Sequence, residues 1–351
     1  MANILVYALH YEGAINKNSL GAVSEGADLA AKTGGECHAI LVGQGVSDDL
    51  AAIALAVREV ATTAEPTAAS LTLTGANTYS GGTTVSGGTL KAGISSTGAV
   101  TNGAFGTGLV TVQSGYTLDL NGFNVGNALN LSGAGIGSNG ALINSSATAA
   151  TESGGITIAS ATSLGGTGAM TLSGAISAST NAVSFVNGAN VTATNTANSI
   201  ATVSLTNSAA VLKTTAALTV NASSLSGTTT LQTVSADKDI TVAGAINNNT
   251  NGNTLTLMAS RDIVVSSNIS GAAGKSLNTN FYANTDNNGA GGYNQTAVVS
   301  TFGGNVFIGG GSKDVTVGCA ASYSCIAGYA NGDNLSAIGL GITGSINAAG
   351  G

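Results

Sequence analysis

Residues 236–242, Ala236-Asp237-Lys238-Asp239-Ile240-Thr241-Val242, recur further along the chain as Ala259-Ser260-Arg261-Asp262-Ile263-Val264-Val265. Each copy leads from a charged turn into a short strand of alternating apolar positions, the period of a strand that buries one face. A unit of this length cannot cover its apolar face alone and does so by stacking on its neighbours. The repeat therefore favours a helix of strands, in which Ile240 stacks on Ile263 and Val242 on Val265. A sandwich would give the same spacing of strands and turns but not the repeat. A charge inserted at Val242 or Val265 is expected to disrupt the stack.

The same grammar extends outward from this pair. Short runs alternate Thr or Ser with Val, Leu or Ile, as in Leu71-Thr72-Leu73-Thr74, Thr83-Thr84-Val85, Leu109-Val110-Thr111-Val112, Thr117-Leu118-Asp119-Leu120, Ile156-Thr157-Ile158 and Ala217-Leu218-Thr219-Val220. Gly, Asn and Ser separate them, so the reading is all-β. Composition agrees. The chain is 43% apolar with 52 glycines, yet only 7% of its residues are charged, against about a quarter in ordinary domains, and it has no Trp. Low charge argues against simple disorder. With a net charge of −7 and nine scattered Lys and Arg residues, no basic stripe is available for phosphates, so nucleic acid is not expected as a partner.

The chain changes character at Pro66, its single proline. Residues 1–65 hold 11 of the 25 charged side chains and both histidines. They read as a small β-α-β-α segment: a strand from Asn3 to Leu9, a helix capped by Ser19, a strand from Cys37 to Val42, and a helix capped by Asp48-Asp49. Residues 61–67 read as a linker, giving domains of 1–65 and 66–351. Two strands and two helices bury too little surface to stand alone, and a cap on the blunt end of the following solenoid is one role that would supply a partner.

Three resemblances follow from these strings. LTLTGANTYSGGTTVSGGTLKAG (71–93) resembles the autotransporter-associated β-strand repeat of bacterial passenger domains, and SGYTLDLNGFNVGNALNLSG (114–133) looks like passenger sequence of the same group. The stretch 234–308 is similar to filamentous-haemagglutinin-type adhesin repeats. Together they imply a right-handed parallel β-helix, export across the outer membrane, and a glycan or a host or cell-surface protein as partner. MANILVYALHYEGAINKNSLGAVSEGADLA (1–30) and GGECHAILVG (34–43) resemble the amino terminus of the electron transfer flavoprotein alpha subunit. In that family FAD sits mainly in the carboxy-terminal domain, so flavin binding is not expected here. The passenger family's leader peptide and translocator barrel are not visible in this sequence. The chain as written is expected to stay in the cytoplasm unless the export implied by the resemblance applies.

Several constellations bear on chemistry. Gly43-Gln44-Gly45 has the strand-to-helix context of a phosphate-binding turn, but Asp48 stands at the third glycine position and Asp49 adds negative charge, so a structural turn is the reading. His10 is read as the polar end of the first strand, and His38 as a packed residue beside Cys37. Asp239 and Asp262 share a repeat position with Lys238 and Arg261 beside them. Paired carboxylates on a β-helix face could cleave polysaccharide, but Asp before Ile-x-Val is a natural turn cap, and Lys313-Asp314-Val315-Thr316-Val317 repeats it again. Capping is the expectation.

Residues 309–317 (GGGSKDVTV) have the outline of a calcium-binding nonapeptide with Ser312 at a glycine position and no tandem copy. Residues 284–289 offer a single carboxylate, Asp286, where a calcium loop needs several. Cys319 and Cys325 could close a disulfide loop if the chain is exported, or remain buried thiols. Cys37 is left unpaired. We expect no catalytic, cofactor or metal site, and a structural or adhesive role. The alternatives are a flavoprotein-like redox protein, supported by residues 1–65 alone, and a β-helix polysaccharide lyase or hydrolase.

Overall fold

The computed structural model describes residues 70–286, 291–310, 340–342 and 344–347, together with 4–8, 10–11, 14–15, 25 and 37–41. From Ser70 onward these residues form a parallel β-helix: 28 short strands are joined in one hydrogen-bonded system in which every strand-to-strand register is parallel. Ile240 pairs with Ile263 and Val242 with Val265, so the repeat that begins at Ala236 and again at Ala259 is one coil.

The strands line three faces. The first runs through Thr83–Val85, Val110–Val112, Leu129–Gly133 and the start of Ile156–Gly165, and later through Leu218–Val220, Ile240–Val242, Ile263–Val265 and Tyr293–Gln295. The second runs through Ser70–Leu73, Thr89–Ala92, Thr117–Asp119 and Leu142–Ile143, and later through Ser223–Leu225, Ile246–Asn248, Ile269–Gly271 and Val299–Ser300. The third starts at Ala150–Glu152 and continues through Ala169–Leu172, Asn190–Ala193, the end of Thr202–Thr214, Thr229–Thr233, Asn253–Met258, Leu277–Ala283 and Val306–Gly310.

Alternation in the sequence decides what each strand buries. In Leu277–Ala283 the residues Leu277, Thr279, Phe281 and Ala283 point inward, while Asn278, Asn280 and Tyr282 point outward. Parallel pairing then sets like on like. Leu212, Leu231, Leu257, Phe281 and Ile308 form one inward column, and Leu218, Ile240, Ile263 and Tyr293 another. These side chains are buried, and each contributes roughly 25 cal/mol per Å² of apolar surface removed from water. Where the two columns meet, the Phe281 and Tyr293 rings lie 5.1 Å apart.

Corners are held by buried asparagines. Asn144 donates its amide to the carbonyls of Thr148 and Ala169, both at 2.8 Å, and accepts from the backbone N–H of Gly122 and Ser146. Asn198 bridges Ala193 O and Lys213 O while accepting from Ile176 N. Asn127 and Asn248 bridge pairs of carbonyls in the same way. An amide supplies donors and an acceptor together, which is what a bend leaves unpaired on both sides.

In the amino-terminal segment, Ile4–Ala8 pairs in parallel with Cys37–Leu41. His10 does not end the first strand: His10–Tyr11 opens a separate antiparallel pairing with Ala14–Ile15. Of the helix expected after Ser19 only Glu25 is described, as helical; the helix expected after Asp48, the turn at 43–45, the linker at 61–67, the Lys313 to Val317 copy, and Cys319 and Cys325 lie outside the described residues.

Candidate functional site

Among the described residues of the solenoid, charge is concentrated at the corner between the third face and the first, at Asp237, Lys238, Asp239, Arg261, Asp262 and Asp286. The turn there is left-handed at Asp237 (φ 56°) and Asn284 (φ 52°), a region that Asp and Asn enter more readily than other side chains. Gly291 has φ 141°, and a Cβ at this position would run into the Arg261 carbonyl, so glycine is required.

The register places Asp239 and Asp262 one coil apart, as the sequence implied. Each carboxylate caps the next coil: Asp239 Oδ1 accepts from Asp262 N at 3.1 Å, and Asp262 Oδ1 accepts from Gly292 N at 2.8 Å. Arg261 donates Nε and Nη2 to the two oxygens of Asp239 at 2.7 and 2.5 Å and lies 3.4 Å from Asp262. The Arg261 hydrogen bonds hold the Asp239 carboxyl below the usual carboxylate range, and the same pairing raises Arg261. Lys238 contributes its backbone: its N–H donates to Ser260 Oγ and its carbonyl accepts from Arg261 N. The corner is an ion-paired cap, and a carboxylate held ionised this way is a poor proton donor.

The loop at Asp286 is described only to that residue, where Oδ2 accepts from Asp237 N at 3.4 Å. Of residues 309–317 only Gly309 and Gly310 are described. Among the described residues no group of three or more His, Cys, Asp or Glu could hold a metal ion.

Beside this corner the third face presents the feature that sequence reading missed. Its outward column runs Thr151, Thr171, Thr192, Val211, Thr230, Thr256, Asn280 and Phe307, and a second column runs Lys213, Gln232, Met258 and Tyr282. Tyr282 and Phe307 meet with ring centroids 5.1 Å apart and planes tilted by 43°. Partial burial pushes the Tyr282 phenol up. Asn280 Nδ2 reaches Thr256 Oγ1 at 3.4 Å. The signal was present in the alternation, since Phe281 and Tyr282 are adjacent and a strand must turn one of them outward.

Two carboxylates are enclosed elsewhere. Asp119 is fully buried yet satisfied by Lys91 Nζ at 3.2 Å, Ser145 Oγ at 2.6 Å and the N–H groups of Asn121 and Ser145. Glu152 is also fully buried: its Oε1 accepts from Gly154 N at 2.7 Å, and its Oε2 has no hydrogen-bond partner. Desolvation raises its carboxyl well above the ordinary glutamate value.

Residues 68–92 match the family model of the passenger-associated-transport-repeat. The matched stretch contains the strands Ser70–Leu73, Thr83–Val85 and Thr89–Ala92, the first rungs of the solenoid. No curated protein and no solved structure matches the chain. The repeat and the β-solenoid together fit the passenger domain of an autotransporter. The flavoprotein resemblance of the amino-terminal segment finds no support in these comparisons.

Proposed function

We propose that this chain is a passenger-type β-helix displayed on a bacterial surface or released from it, and that it binds a glycan or a cell-surface protein without catalysing a reaction. The observation that carries the reading is the passenger-repeat match at 68–92, in register with the parallel coils that follow. The outward faces support it. They are ladders of Thr, Ser and Asn, such as Ser184 on Ser204 and Ser270 on Asn247, which suit many weak polar contacts along an extended partner. A polysaccharide-cleaving role would draw on Asp239 and Asp262, and both already serve as caps. Antibody raised against the full chain and applied to intact and lysed cells of its host tests the display: labelling of intact cells is expected, and labelling confined to lysates would overturn it. Purified chain incubated with polysaccharides should release no reducing ends.

A further inference from the structure

We propose that the third face around Tyr282 and Phe307 is a binding site for a neutral glycan, laid along the solenoid axis. The proposal rests on the reading of the chain as a binding surface and names its ligand class. The first argument is charge. Lys213 is the one charged side chain that the described strands of this face direct outward, because Glu152 points inward. At the adjoining corner Arg261 is ion-paired to Asp239 and Asp262. The surface therefore has no field that would favour a phosphate or carboxylate polymer over an uncharged one.

The second argument is the chemistry of the positions. Two outward rings 5.1 Å apart, with Met258 on the next coil, present an apolar platform flanked by Asn280, Thr256 and Gln232. Sugar rings have C–H faces that lie on aromatic surfaces and hydroxyls that pair with amides and hydroxyls. A protein partner would ask for a broader apolar patch, and the exposed large hydrophobics among the described residues, Leu109, Val298 and Ile346, lie away from the strands of this face. The third argument is spacing. Rungs recur about every 4.8 Å, close to the length of one pyranose unit, so successive sugars of a straight glycan meet successive coils.

The test is calorimetric titration of the full chain with cellohexaose, xylohexaose, mannohexaose and chitohexaose, and with heparin and polygalacturonate as charged comparators. At least one neutral hexasaccharide should bind saturably. Tyr282→Ala and Phe307→Ala should each weaken it about tenfold, near 1.4 kcal/mol. Thr84→Ala on the first face should leave it unchanged, and Phe307→Tyr, which keeps the ring, should retain it, with far-ultraviolet circular dichroism verifying the fold of each variant. Absence of neutral binding, binding indifferent to both alanine variants, or binding of the charged polymers alone would each overturn the proposal. Surface display, judged on intact cells, stands or falls separately.

Discussion

Arg261 clamps both carboxylate oxygens of Asp239 across one coil, and the neighbouring Asp262 backbone N–H donates to the same carboxylate. The lowered carboxyl fixes the sign of its pH dependence. Its contribution is present above the unfolded value, near 3.8, and is lost as pH falls through the lower folded value. Asp239→Asn should flatten the acid limb of denaturant midpoint against pH and lower the neutral midpoint by the height of that limb, a small step because the half-exposed pair is screened by solvent. An acid limb identical to that of the parent would show that the clamp contributes nothing.

Glu152 runs the opposite way. Its folded carboxyl titrates well above the ordinary value of 4.5, so the folded state holds a proton that the unfolded chain releases. Stability from this group is fully present below about pH 4 and declines as pH rises through the folded value. Its partners in register are Val125 and Leu172, neither of which can offset a negative charge. Glu152→Gln should therefore raise the unfolding midpoint at neutral pH and remove the decline. Parallel pH profiles for the two proteins would refute this.

Asn144 satisfies Thr148 O, Ala169 O, Gly122 N and Ser146 N at once. Asn144→Ala strands these groups beneath a corner, at roughly 1–3 kcal/mol for each one left without water. A loss of several kcal/mol in chemical denaturation is expected, and a loss under about 0.5 kcal/mol, typical of exposed sites, would contradict the corner role.

The strands were legible from the sequence because inward Val, Leu and Ile alternate with Thr, and the coil was legible where two coils share both length and turn, as at 236–242 and 259–265. Elsewhere coil length varies. The coil that returns Val110 to Leu129 is short, whereas the one that returns Ile263 to Tyr293 takes many more residues, and such differences erase a simple period. The capping of Asp239 and Asp262 was foreseen from their place before Ile-x-Val. The corner asparagines were not, because among so many loop Asn residues the sequence does not mark which ones fold inward. The Tyr282 and Phe307 pair joins residues on successive coils, a relation that only the register of Leu277–Ala283 on Val306–Gly310 creates.

Burial should also separate adjacent residues on one strand. Leu257 is fully buried in its column, and Thr256 faces outward. Leu257→Ala is expected to cost about 2–5 kcal/mol and Thr256→Ala less than about 0.5 kcal/mol, as measured by urea denaturation. Comparable losses at the two positions would mean the strand is not inserted as described.

The most direct test of the solenoid uses Thr241, which lies between Thr219 and Val264 on the coils either side. Nitroxide labels would be placed in pairs at Thr219 and Thr241, and at Thr241 and Val264, and their continuous-wave electron spin resonance spectra recorded. Rungs about 4.8 Å apart predict strong spin–spin broadening in both pairs. A sharp spectrum from either pair, matching the sum of its single labels, would contradict the parallel coil.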